Sequence, residues 1–378
     1  MFYRKDYQKP TFELPETELT FALDKAATRV YAKLHFKNAD ADKPIFLNGE
    51  NLKTIRVNLP YTKKKEGIEF TPPAKDFILE TEVEINPKEN TELSGLYLSD
   101  GLFTTQNEPQ GFRRITFFPD HPDVMSHYRV TIKAHKKDFP VRLSNGNIVA
   151  ESEEEITYDD PFPKPSYLFA LVAGKLDVLT DSFTTKSGKK VDLFIYCEIG
   201  KKDRLSFAME SIKKAMKWDE DVFGLEYDLN RFSIVAVSHF NAGAMENKSL
   251  NVFRDSLLLA SPETTTDLNY IAIESCIAHE YFHNYSGDRV TLQDWFDLSL
   301  KESLTVYRDS EFTHDLHDYA TERIEDIFEL RAGQFAEDDG PLAHQILLDK
   351  AESVNNFYTS TIYNKGAEVI RMMREFVG

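Results

Sequence analysis

The sequence predicts an α+β protein, with an all-β saddle or sandwich over residues 1–175 and a small mixed sheet plus helices over 176–378. Three observations predict it. Period-two alternation fills the first part, apolar strands and one amphipathic helix follow, and helical spacing dominates after Thr265. Leu79, Thr81, Val83 and Ile85 alternate with acidic residues, as a half-buried strand should, and Tyr128, Val130, Ile132 and Ala134 repeat the pattern. Asn145-Gly146, inside PVRLSNGNIVAE, is the strongest short hairpin signal in the chain and predicts a tight turn between paired strands. VDLFIYCE (191–198) reads as a buried strand. Leu205, Ala208, Met209, Ile212 and Met216 then recur at helical spacing, and RFSIVAVSHF (231–240) is a further strand before a glycine-containing turn. From Thr265 nearly everything reads as helix.

Composition narrows the partners. Sixty-three acidic against 45 basic residues give a net charge of −18, without a basic stripe, which argues against nucleic acid or an anionic membrane surface. No run approaches the eighteen apolar residues of a membrane span, and the N-terminus has no apolar signal-peptide core. Only Cys197 and Cys276 are present, outside any C-x-x-C pair, which suits a reducing compartment. The expected location is cytoplasmic. The oligomeric state stays open, with a monomer as the default.

The main chemical signal is His279-Glu280-Tyr281-Phe282-His283, on a helix expected to start at Thr266-Asp267 and to carry Leu268, Ile271, Ala272 and Ile277 as apolar residues. Histidines four apart share one helix face, so both imidazoles reach a single metal ion. Glu280 sits one step round, near enough to take a proton from a water on that metal. Alone, the pattern is also compatible with two incidental histidines. The following helix, QDWFDLSLKESLTVYRDSEF (293–312), puts Glu302 on a stripe with Trp295, Leu298, Val306 and Asp309. A carboxylate in a core-facing stripe is costly unless paired or metal-bound. Two His and one Glu leave a fourth position open, as catalytic zinc sites do. Upstream, Asn241-Ala242-Gly243-Ala244-Met245-Glu246-Asn247 follows an apolar strand; in isolation it reads as an ordinary turn with a solvated Glu246, although a strand edge beside a metal can hold an extended peptide.

GAMEN, then HExxH, then a Glu nineteen residues after the second His resembles the aminopeptidase N family of zinc exopeptidases. The run HEYFHNYSGDRVTLQDWFDLSLKESLTVYRDSEF is similar to its bacterial cytoplasmic branch, and the likeness covers most of the chain, from the N-terminal β part through TQNEPQGFRR (105–114) to NNFYTSTIYNKGAEVIRM (355–372). The resemblance implies a thermolysin-like second domain that hydrolyses the N-terminal bond of peptides, with one Zn²⁺ per chain. It implies His279, His283 and Glu302 as zinc ligands and Glu280 as general base. Glu246 and Glu108, with Gln106 beside them, then bind the substrate's free α-amine, and Tyr363 stabilises the oxyanion. The backbone at Gly243 and Ala244, within the motif that continues through Met245 and Asn247, aligns the substrate. Lys301 and Tyr358 are secondary candidates. From the residues alone, Tyr363 reads as a core tyrosine and Glu108 as a surface residue.

Departures from the family pattern qualify this. Ala242 stands where bacterial relatives usually carry Met, which implies a roomier pocket for the first substrate residue. Tyr285 and Ser303 replace the usual Trp and Gly, and AHQILLDK (343–350) lacks the expected proline-arginine pattern. The chain ends fifteen residues after Tyr363, whereas family members are expected to continue for several hundred, finishing the catalytic helices and adding a helical domain. Two rivals therefore stay in view, a zinc endopeptidase and an inactive zinc-binding module that holds peptides.

Overall fold

A computed structural model describes residues 1–377. In the first part, a seven-stranded sheet runs in the spatial order Asn147–Glu151, Glu155–Asp159, His127–Lys133, Glu13–Ala22, Thr28–Lys37, Phe77–Ile85, Lys53–Val57. Its alternating inward residues, among them Phe21, Val30, Leu34, Leu79, Val83, Val130 and Ile132, are buried in one apolar cluster with Phe103 and Leu171 of the facing layer. That layer is a four-stranded sheet, Val141–Ser144, Leu171–Gly174, Leu102–Gln106, Gly95–Ser99. The predicted β character of this part is thus observed, with period-two burial as its cause.

The Asn145-Gly146 hairpin is not formed. Val141–Ser144 pairs with Leu171–Gly174, whereas Asn147–Glu151 pairs with Glu155–Asp159 in the other sheet. The dipeptide instead carries the chain between layers, with Gly146 at φ 85°. Tertiary contacts outweigh the local turn preference. The buried Asn145 amide donates to the Leu168 and Lys248 carbonyls at 3.0 and 2.7 Å, and its oxygen accepts from the Ala170 N–H at 2.8 Å.

The second part is built on a five-stranded mixed sheet in the order Leu176–Thr184, Lys190–Glu198, Arg231–Val237, Leu250–Arg254, Ala244–Met245. Helix α1 (Ser206–Val222) covers it through Ala208, Met209, Ile212 and Met216, the residues marked by their spacing. Helix α2 (Asp267–Phe282) begins where expected, with the Asn269 N–H donating to Thr266 Oγ1. It buries Ile273, Ile277, Ala278, Tyr281 and Phe282, but Leu268 is exposed. Helix α3 (Leu298–Leu316) packs on α2 and runs past the predicted end, while its first predicted turn is a separate 3₁₀ turn, Trp295–Asp297. Buried Arg308 of α3 joins all three helices: it donates to the Phe282 carbonyl at 2.9 Å and pairs with Asp219 of α1.

Helix does not fill the remainder. Residues 283–294 form turns, and the two-residue strand Lys350–Ala351 pairs with Phe2–Tyr3 at the opposite end of the sequence. Among the described residues no helix is long and apolar enough to cross a membrane. Cys197 and Cys276 are unpaired thiols.

Candidate active site

The site lies where α2, α3, the sheet edge at Ala244–Met245 and the first β part meet. On α2 and α3, His279 Nε2 and His283 Nε2 are 3.0 Å apart, and Glu302 Oε2 lies 3.4 and 3.3 Å from them. His283 Nδ1 is 2.7 Å from the Ser286 carbonyl, which can only accept. That nitrogen therefore carries a hydrogen, and Nε2 is the ring atom turned to the site. His279 Nδ1 is held by Asp309 Oδ2 at 2.6 Å.

This donor set fits a zinc ion. Tetrahedral ligands on bonds of 2.0–2.2 Å stand about 3.3–3.6 Å apart, close to the spacing here. Burial opposes charge on His279, yet Asp309 and Glu302 outweigh it and raise its pKa well above the ordinary value. The pocket therefore favours positive charge where the three donors converge. Each imidazole also has the outer partner that metal-bound histidines need.

Beside it, Lys301 is fully buried and pairs with Glu108, Glu246 and, at 3.1 Å, Glu302 Oε1. Burial works against its charge, but the three carboxylates hold its pKa well above the usual lysine value. For Glu246 and Glu302 burial raises the pKa, and Lys301 and His283 more than offset it, leaving both below the ordinary range. Burial wins at Glu108 and Glu280, so both are pushed up, Glu280 with Glu246 and Glu302 adding to the rise.

Local structure explains how each residue arrives. Glu108 sits in a turn after the strand Leu102–Gln106, closed by the Gly111 N–H donating to the Asn107 carbonyl at 2.8 Å. A Cβ on Gly111 would meet Gln106 O at 2.4 Å, so only glycine closes this turn. Ala244–Met245 is the edge strand, antiparallel to Leu250–Arg254. Its loop is tied to the β part by Tyr97 Oη donating to the His239 carbonyl, the His239 N–H to Ser99 Oγ, and the Gly146 N–H to Ser249 Oγ.

A cavity of about 390 Å³ opens next to these groups, lined by Gln106, Glu108, Ala242, Ala244, Tyr358 and Tyr363 among others. Gln106 Oε1 and the Tyr358 hydroxyl are buried without a protein partner, leaving polar atoms that a ligand can satisfy. The structure thus brings together Gln106, Glu108, Ala244 and Tyr363 in one lining, with Glu246, Lys301 and the metal donors against it. Other motif residues do not share that lining. Met245 is packed in the apolar core and Asn247 is fully buried, and neither lines the cavity. Glu108 and Tyr363 are neither a surface residue nor a plain core tyrosine. Nothing in the residue order marks Asp309 as the His279 partner, although it lies two turns beyond Glu302 on the same stripe.

Comparison with known proteins gives the family. Residues 13–168 match the peptidase M1 N-terminal domain, and residues 207–378 match the peptidase family M1 domain. The chain belongs to peptidase family M1. Aminopeptidase N of Caulobacter vibrioides is 50% identical over 99% of the chain, and that of Escherichia coli 49% over 100%. The structure of Legionella pneumophila aminopeptidase A in complex with aspartic acid superposes with a TM-score of 0.91 at 34% identity over the whole chain. This family M1 chain spans 45% of the length of each of these three proteins.

Proposed function

We propose that this chain is the metal- and amine-binding part of a zinc aminopeptidase that cleaves the first peptide bond of substrates with a free N-terminus. The observation that carries the reading is the approach of two carboxylates, Glu108 and Glu246, to the His279–His283–Glu302 donor set, bridged by Lys301. An exopeptidase must recognise a terminal ammonium at a set distance from the reacting carbonyl. Paired carboxylates beside the metal donors supply that recognition, whereas an endopeptidase has no use for them.

His279, His283 and Glu302 would hold one Zn²⁺, which when bound polarises the scissile carbonyl and acidifies water. The protein's own groups do the rest. Glu246 and Glu108 accept hydrogen bonds from the α-ammonium, and the edge at Gly243 and Ala244 aligns the substrate main chain. Glu280 takes a proton from the attacking water and passes it to the leaving amine. Tyr363 donates to the developing oxyanion. We place the division between the β-rich and catalytic parts at residues 175/176, where one sheet's last strand ends at Gly174 and the next begins at Leu176.

Release of a fluorophore from Ala-, Leu- and Arg-amides by metal-analysed protein, alongside Glu280→Ala, tests the reading. Turnover that disappears with the substitution and with a chelator supports an aminopeptidase. Stoichiometric zinc without turnover overturns it in favour of a peptide-binding module. Equal cleavage of N-acetylated peptides would instead indicate an endopeptidase.

A further inference from the structure

We propose that Phe2 is a positioning residue for the wall of the active site. Its ring fastens the segment that leads into Glu302 to the segment that carries Tyr358 and Tyr363. The inference rests on the role given to Tyr363 above.

Three rings meet at one point. Phe2 lies edge-on to Phe296 and Phe357, with centroids at 5.2 and 6.0 Å, and Phe296 is itself 5.0 Å from Phe357. Phe296 belongs to the 3₁₀ turn Trp295–Asp297 that starts α3, five residues before Lys301 and six before Glu302. Phe357 ends the 3₁₀ turn Val354–Phe357 and directly precedes Tyr358, with Tyr363 in the following π-turn, Thr361–Lys365. Phe296 and Phe357 are fully buried and Phe2 is partly so.

Backbone pairing sets the ring in place. Phe2 and Tyr3 pair antiparallel with Ala351 and Lys350, and the Arg4 N–H donates to the Asp349 carbonyl at 2.9 Å. An isolated two-residue ladder is weak. Its hold on residues 349–357 therefore depends on the apolar contact of Phe2, since edge-to-face aromatic pairs stabilise beyond the area they bury. Truncating that ring loosens the segment before Tyr358 without touching a metal donor.

Hydrogen exchange and kinetics on the full chain test this with Phe2→Ala, Phe2→Leu and Tyr3→Ala. Tyr3 shares the strand, but its ring is exposed. In Phe2→Ala, amides of residues 350–363 should exchange about tenfold faster while those of α1 do not change. Bound zinc should stay stoichiometric, kcat should fall about threefold or more with KM little altered, Phe2→Leu should recover most of the loss, and Tyr3→Ala should resemble the parent. Unchanged exchange over 350–363, equal acceleration in α1, or faster exchange with unaltered kcat would overturn the proposal. If the parent has no turnover, the functional reading fails by itself, and exchange alone decides whether Phe2 holds the segment.

Discussion

The proposed metal donors and the carboxylates proposed to bind the amine are neighbours, yet they are assembled in opposite ways. His279, His283, Glu302 and the supporting Asp309 all lie on, or at the end of, two adjacent helices, within 31 residues of sequence. Glu108, Glu246 and Lys301 come from a turn in the β part, a sheet edge and a helix, up to 193 residues apart. The first group follows from helix geometry and one packing contact. The second exists only once both parts of the chain have docked. Damage to the docking surface should therefore harm amine recognition before it harms metal binding.

The largest expected effect probes the group between the two. Glu280→Ala should lower turnover by about 10²–10⁴-fold while zinc content is kept, as measured with Leu-amide and metal analysis. Next, Glu108→Gln replaces one carboxyl oxygen of the proposed amine site with an amide nitrogen. It should raise KM by about 10–100-fold, the loss expected for a hydrogen bond to a charged group, with the metal still bound. Loss of zinc in that variant would erase the distinction between the two assemblies. Asp309→Asn does the reverse. It should weaken zinc about 10–100-fold in a competition titration, and saturating zinc should restore activity with KM unaltered.

A smaller effect concerns the far end of α3. His314 Nε2 lies 2.9 Å from Asp326, and Nδ1 is 3.7 Å from Glu311, which also pairs with Arg371. Burial lowers the His314 pKa and Arg371 opposes its charge, but Asp326 and Glu311 outweigh them and bring it up to about 9. A raised folded-state pKa contributes stability that is fully present below about 6.5 and is lost as pH rises through about 9. Denaturant titrations at pH 6 and 9.5 should differ by about 1–3 kcal/mol, and His314→Gln should remove that part of the difference. A substrate panel gives the finest contrast. Ala242→Met should slow Leu-, Phe- and Arg-amides relative to Ala-amide, by about tenfold or less, if the cavity takes the first side chain. Faster cleavage of Ala than of Leu, Phe or Arg by the parent would contradict the roomier pocket.

Much of this protein was legible from residue order because local periodicity is strong. Alternation marked strands such as Phe77–Ile85, and spacing marked α1 and the face of α2 that bears both histidines. A helix fixes the relation of residues four apart, so the HExxH pair needs no knowledge of the rest of the fold. The role expected of Glu108 and Tyr363 came only through family resemblance, because neither lies in a local pattern that distinguishes it from an ordinary side chain.

Tertiary structure decided everything that depends on distant segments. It turned Asn145-Gly146 from a hairpin into a crossing between sheets, because Asn145 finds partners in Leu168, Ala170 and Lys248. It selected Asp309 as the partner of His279, and it removed Met245 and Asn247 from the cavity while admitting Tyr358. It also joined Phe2 to Phe296 and Phe357. Periodicity reports which face of an element is buried, but not which distant element buries it. That choice belongs to the packing of the whole chain.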